Sequence, residues 1–286
     1  MKKISKKNFT NTIFEPLLEI PDLPDTLYVL GDYTNIQDKK LITIIGSRIC
    51  SGYAKKATQD LIKGLAGYPV CIVSGLALGI DGVAHTQAIE SGIQTIAFPG
   101  SGLNKKNLYP ATHIPLAKNI ITSNGLLVSE YEPDTRGAKW TFPKRNRLMA
   151  GIADLIIIII EAREKSGTLI TARLGLDYNK TIAVVPHNID NQYAIGSNKL
   201  LRDGAYPLLE VTDILHLVGI KPVETQEITI ELTTVEKSLY DLLKQPVSKN
   251  DLYIQLGINY TTFIETFSMM EIKGIIKEQY GLVQKC

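Results

Sequence analysis

The stretch Leu41-Ile42-Thr43-Ile44-Ile45-Gly46-Ser47-Arg48 decides how the chain is read. Its first five residues offer no polar face, and the run stops at a glycine. A short apolar run of that kind suits a strand covered on both sides, as in a parallel sheet, better than the half-wet strand of a hairpin. The pattern recurs at Val70–Val73, Thr95–Phe98, Leu126–Val128, Leu155–Ile160 and Thr181–Val185, with Gly, Pro, Ser or Asn at the boundaries. The stretches Tyr53–Leu65, Gly82–Glu90, Asn146–Ile152 and Leu169–Tyr178 lie between such runs and are long enough for crossover helices. Buried runs alternating with helices predict an α/β fold: a doubly wound, mostly parallel sheet over residues 41–218.

The flanks read differently. Residues 1–40 are mixed, and Glu19-Ile20-Pro21-Asp22-Leu23-Pro24-Asp25 reads as an extended lead-in. Residues 219–230 show neither period and read as a linker. In residues 231–286, Thr234–Leu243 has a helical apolar face with Thr233 or Thr234 as cap, and Ser248 starts a second short helix. Tyr260–Ile272 reads as a third helix and Gly274–Val283 as a hairpin. Three helices and a hairpin predict a small winged-helix domain.

Composition narrows the function. The chain has 286 residues, 31 Lys+Arg against 29 Asp+Glu, 44% hydrophobic and 21% charged residues. That is ordinary for a globular protein and excludes a uniformly basic nucleic-acid coat. Cys50, Cys71 and Cys286 lie far apart, and no cysteine or histidine cluster has metal-ligand spacing, so neither a disulfide framework nor a metal is expected. The basic start Met1–Lys7 is not followed by an apolar signal region, and the longest strongly apolar run, Leu155–Ile160, is far short of the ~20 residues of a membrane helix. A cytoplasmic protein without membrane contact is expected.

The strand ends hold the chemistry. After the first run, Gly46 permits close approach, Ser47 offers a hydroxyl and Arg48 can grip a phosphate bidentately; the plainer alternative is a strand-to-helix turn with a surface arginine. After the second, Ser74-Gly75-Leu76-Ala77-Leu78-Gly79-Ile80-Asp81 makes a glycine loop whose N–H groups can converge on an anion. It matches neither the dinucleotide glycine fingerprint nor a P-loop. Asp81 with His85 reads as a capping acid and a hydrogen-bonded histidine more than as an acid–base pair. Trp140-Thr141-Phe142-Pro143-Lys144-Arg145-Asn146-Arg147 sets aromatics among cations, and residues 136–173 hold eight Lys/Arg against three acids, a local net of +5. Aromatics stack on unpaired bases while cations follow phosphates; the alternative is a solvated basic loop with Trp140 and Phe142 in the core. Ser166-Gly167-Thr168 opens a helix, leaving free N–H groups at its N-terminus. Gly196-Ser197-Asn198-Lys199 is a similar start with a cation. No nucleophile-elbow or zinc-protease motif occurs.

These motifs, in this order, resemble the DprA/Smf family (DNA-processing protein A). The resemblance rests on Gly46-Ser47-Arg48, Ser74–Asp81 with His85, Phe142–Arg147 with Gly151, Glu161-Ala162 with Ser166–Ala172, and Gly204-Ala205. It covers about residues 17–218, and the tail resembles the family's C-terminal module. It implies an extended Rossmann-like domain that binds single-stranded DNA, a homodimer, and loading of RecA recombinase onto incoming DNA during natural transformation, with no cofactor. Carried over, Arg48, Lys144, Arg145 and Arg147 would contact or frame phosphates, and Asn146 falls in the same motif. Gly75, Gly79 and Ser166–Thr168 would shape the pocket and Phe142 would line it or stack; Ser47, Ser74 and Lys199 complete the expected set. Three departures stand out: nothing before residue 40 reads as the helical domain many members carry there, His113 replaces the asparagine of the usual YPxxN, and His187 stands where a glycine commonly follows the proline.

Two other functions fit the same scaffold, a nucleotide hydrolase using Asp81 or Glu161 as base and a nucleotide-sensing regulator. In the tail, residues 228–286 hold six lysines against seven acids, and Tyr260–Ile272 has Glu265 and Glu271 but no Lys or Arg. Duplex binding needs several cations at phosphates. The winged helix is therefore expected to contact protein, with Met269, Met270, Phe263 and Phe267 as core or contact residues.

Overall fold

Isoleucine and valine fill the strands because a β-branched side chain fits a pleated surface packed on both faces. In the computed structural model, which describes residues 1–154, 156–222, 232–279 and 281–285, they form a nine-stranded sheet. In chain order its elements are β1 (Lys2–Ser5), β2 (Thr26–Leu30), β3 (Lys40–Ile45), α1 (Gly52–Gly64), β4 (Val70–Ser74), α2 (Ile80–Glu90), β5 (Thr95–Ala97), α3 (Ile114–Thr122), β6 (Leu126–Ser129), α4 (Thr141–Ile152), β7 (Ile156–Ile159), α5 (Gly167–Asp177), β8 (Thr181–Val184), α6 (Ile195–Arg202), β9 (Tyr206–Pro207) and α7 (Val211–Leu217). The spatial order is β1-β2-β6-β5-β4-β3-β7-β8-β9. Only β1–β2 and β2–β6 pair antiparallel; the other pairs are parallel.

Alternation along β3 shows the layering. Leu41 and Ile45 join one core with α4 and α5, whereas Ile42 and Ile44 join a second with α1, α2 and α7. Helices therefore cover both faces. The order also reverses: β3 to β6 wind outward one way, and β7 returns to the other side of β3. That reversal leaves a crevice beyond the carboxyl ends of β3 and β7.

Residues 1–40 turn out to belong to the sheet. β1 and β2 extend it past β6, and Phe9, Phe14, Leu17 and Ile20 are buried in the α4-side core. Gly151 of α4 is the contact point, since a Cβ there would lie 2.5 Å from the Ile20 side chain. The segment has no period to read because its helical pieces, Lys6–Asn8, Glu15–Glu19 and Thr34–Ile36, are short 3-10 turns that bury at most one residue each. α3 and α7 also lie outside the helices expected, while α6 begins at the small-residue start read at Gly196–Lys199.

The chain divides by contact into two compact units, Met1–Pro222 and Val223–Cys286. Most of the expected linker lies outside the described residues, as do Leu155 and Cys286. The second unit contains α8 (Thr234–Leu242), β10 (Val247–Ser248), α9 (Lys249–Leu256), α10 (Tyr260–Ile272), β11 (Ile276–Gln279) and β12 (Leu282–Lys285). Its helix starts follow the sequence. Thr233 and Glu236 form a reciprocal capping box, and Ser248 and Asn259 cap α9 and α10. β12 lies between β10 and β11 in a three-stranded antiparallel sheet. Leu239, Leu252, Phe263, Phe267 and Met270 form its core, whereas Met269 is exposed.

One buried group makes stability pH-dependent. His85 of α2 places Nδ1 2.7 Å from Thr95 Oγ1, and that hydroxyl donates to Ile72 O at 2.8 Å. The ring proton therefore sits on Nδ1, and the bare Nε2 has no partner among the described residues. Burial, with His113 and Arg145 adding positive charge nearby, lowers the pKa from 6.5 to about 3. The neutral ring thus favours folding fully above 6.5, and that contribution is lost as pH falls toward about 3. The urea midpoint is expected to drop between about pH 7 and about pH 4, and to drop less in His85→Gln. An equally steep drop in the variant would assign the effect to another group.

Candidate nucleic-acid interface

A cleft of about 740 Å³ occupies the crevice between β3 and β7. The loop after β3 contributes Gly46, Ser47 and Arg48, the β4–α2 loop contributes Ala77, and the first turn of α2 contributes Asp81. α4 with its approach contributes Lys139, Phe142, Arg145, Asn146 and Met149; the segment after β7 contributes Arg163, Ser166, Gly167 and Thr168.

The β4–α2 loop is held from both sides. Asp81 Oδ2 accepts the N–H groups of Gly75 (3.1 Å) and Ala77 (3.3 Å). Arg145 Nη1 donates to Gly75 O at 2.6 Å and to Phe98 O, and its Nε donates to Asn146 Oδ1 at 3.2 Å. A Cβ on Gly75 would lie 2.5 Å from Arg145 Nη1 and 2.6 Å from Asp81 Oδ2, so only glycine fits between them. Gly79 has φ +75° and a would-be Cβ 2.2 Å from Ser47 O, which brings the loops after β3 and β4 into contact. Burial raises the Asp81 pKa against the opposing pull of Arg145 and the two N–H groups. Burial likewise lowers Arg145, to about 10, which leaves it charged near neutrality.

Helical periodicity sorts the basic motif. Phe142, Arg145, Asn146 and Met149 share the spacing i, i+3, i+4, i+7 and all line the cleft. Lys144 and Arg147 do not line it. Arg147 forms a fork with Glu130, at 2.8 and 2.9 Å, and donates to Asp22 O at 2.7 Å. Lys144 Nζ lies 3.7 Å from the same Glu130. Arg147 is largely buried and its charge is met internally, as a buried charge requires, whereas the Lys144 side chain is 42% exposed.

The other expected residues divide similarly. Ser47 lines the cleft, but its hydroxyl donates to Ile49 O at 2.6 Å and shapes the turn. Ser74 is buried and donates to Ile44 O at 2.7 Å, tying β4 to β3 instead of facing the cleft. Lys199 is ion-paired with Glu164 and lies outside the lining, while Ser197 accepts the Ala162 N–H at 2.6 Å. Ser166, Gly167 and Thr168 do bring the α5 N-terminus to the cleft, and the Ser166 hydroxyl is buried without a partner among the described residues. Arg48 is exposed, with its guanidinium 5.5 Å from the centre of the half-buried Phe142 ring. Trp140 is 61% exposed, which excludes a place in the core.

Lys139 and Arg163 were counted in the basic band but not singled out; the structure sets both in the lining, with Tyr109 5.6 Å from Phe142. The lining thus holds four cations, Arg48, Lys139, Arg145 and Arg163, against one acid, Asp81. The two unusual histidines are built in. His113 Nδ1 meets Leu76 O at 2.9 Å, supporting the glycine loop, and His187 Nε2 meets Ile160 O at 2.7 Å.

Removing the Arg147 guanidinium takes the fork from the buried Glu130 carboxylate and leaves it only the looser Lys144 contact at 3.7 Å. Arg147→Ala is therefore expected to lower stability by about 3 kcal/mol, and Lys139→Ala by under about 0.5 kcal/mol, in urea denaturation. A loss below about 1 kcal/mol for Arg147→Ala would contradict its structural role.

A family model described as DNA recombination-mediator protein A matches residues 4–219. DNA processing protein DprA of Bacillus subtilis is 35% identical over 198 residues, covering 69% of this chain and 65% of its own length. Protein Smf of Escherichia coli is 35% identical over 199 residues, 70% of this chain and 52% of its own. The chain therefore spans between half and two thirds of these relatives. The X-ray structure of DprA from Streptococcus pneumoniae superposes with a TM-score of 0.69 at 32% identity, over 75% of this chain and 73% of that one. DNA processing protein A from Helicobacter pylori, whose structure was described for its single-stranded DNA binding mode, gives 0.64 at 31% identity over 76% and 93%. With three quarters of its length matched by one family model and relatives above 30% identity, the chain belongs to the DNA recombination-mediator protein A family, that of DprA and Smf.

Proposed function

We propose that the chain binds single-stranded DNA in the β3–β7 cleft as a non-enzymatic recombination mediator. It acts in the cytoplasm as a homodimer that protects the strand and hands it to RecA recombinase. One observation carries the reading: the lining combines four cations with one acid and sets an accessible aromatic ring beneath Arg48. Cations along a groove follow a phosphate chain, and an aromatic face takes an unpaired base of any identity. The α5 N-terminus and the partnerless Ser166 hydroxyl suit a phosphate oxygen, which would satisfy an otherwise orphaned buried group. The described binding mode of the Helicobacter pylori relative supports the same ligand.

The carboxylates support a non-enzymatic role. Asp81 is occupied by the Gly75 and Ala77 N–H groups. Glu161 is fully buried, with Oε2 accepting from Ser51 N–H at 2.9 Å and Oε1 from Asn191 at 3.2 Å. A general base needs a lone pair aimed at a reacting proton, whereas both Glu161 oxygens and Asp81 Oδ2 accept from backbone or amide N–H groups. The second unit we read as a winged helix that contacts protein, since α10 carries Glu265 and Glu271 and no cation.

Fluorescence anisotropy with oligo-dT, duplex and ATP tests the reading. Phosphate contacts from the three exposed cleft cations, Arg48, Lys139 and Arg163, predict a slope of log affinity against log salt of about −2 for oligo-dT. Arg48→Ala is expected to weaken binding about tenfold and make the slope shallower by roughly one. Tighter binding of ATP than of oligo-dT would favour nucleotide sensing, and duplex preference would contradict the assignment.

A further inference from the structure

Arg163 of the cleft lining also meets an aromatic ring that the proposed contacts leave unused. The Arg163 guanidinium lies 4.4 Å from the ring centre of Tyr193, a residue outside the cleft lining and 40% exposed. An exposed tyrosine with a guanidinium on its face matches the aromatic–arginine surface on which unpaired bases stack.

The platform is fixed in place. Tyr193 N–H donates to Asn191 Oδ1 at 2.9 Å, and Asn191 Nδ2 donates to Glu161 Oε1 at 3.2 Å. The other Glu161 oxygen accepts Ser51 N–H, three residues beyond Arg48. Next to Tyr193, Gly196 N–H donates to Ala162 O at 2.8 Å, and a Cβ on Gly196 would lie 2.5 Å from Arg163 O. One buried carboxylate therefore ties the loop bearing Arg48 to the loop bearing Tyr193. A pre-organised surface loses little freedom when a ligand arrives.

We propose that Tyr193, stacked with Arg163, is a second nucleobase platform, which takes an unpaired base of the strand as its phosphates leave the cleft beside α6. The proposal rests on the cleft holding single-stranded DNA. It gives Glu161 a positioning role, holding the Arg48 and Tyr193 loops in register.

The test compares oligo-dT with an abasic tetrahydrofuran strand of equal length, each about 20 nucleotides, on the full chain. Tyr193→Ala is expected to weaken oligo-dT binding about tenfold, the order of one lost base stack, and to leave abasic-strand binding unchanged. Tyr193→Phe keeps the ring and is expected to restore oligo-dT affinity. Unchanged oligo-dT affinity in Tyr193→Ala, or an equal loss on both strands, overturns the platform while leaving the cleft assignment intact. Failure of the unaltered chain to bind either strand overturns the cleft assignment itself.

Discussion

The buried Arg145 guanidinium is the constraint on which the cleft depends. From the first turns of α4 it donates to Gly75 O after β4 and to Phe98 O after β5. A guanidinium supplies rigid, planar donors that stay charged when buried, so it can fix carbonyls on separate strands at once. Asp81 holds the N–H side of the same loop and supplies the opposing charge. Gly75 must lack a Cβ for the two to close on it. The β4–α2 loop beside the cleft is thereby set before any ligand arrives, and a pre-set loop lowers the entropic cost of binding.

Much of this was legible in the sequence. β3 to β8 follow from the isoleucine and valine runs, and the doubly wound order follows from their alternation with helices. The cap of each tail helix is visible at Thr233, Ser248 and Asn259. The cleft face of α4 could have been read as well, because Phe142, Arg145, Asn146 and Met149 fall at helical spacing. Counting the motif as one basic block hid the fact that Lys144 and Arg147 face elsewhere.

What stayed hidden depends on partners distant in sequence. Arg147 is neutralised by Glu130 and Asp22, and Lys199 by Glu164. Ser74 is taken up by Ile44 O. No local pattern announces such pairs. The first 40 residues were opaque for another reason: isolated anchors such as Phe9 and Phe14 bury themselves without a period. Cations that line the cleft, by contrast, lack close acidic partners among the described residues, and this separates Arg48, Lys139 and Arg163 from the rest of the basic band.

A near-neutral chain can therefore hold a polyanion locally, because its acids are assigned to loops and to non-cleft cations. Photo-crosslinking tests that account most directly. A single strand substituted with bromodeoxyuridine, irradiated on the full chain and mapped by peptide mass spectrometry, is predicted to mark peptides bearing Tyr109, Trp140 or Phe142 at the cleft. Adducts confined to residues 234–285 would contradict the account.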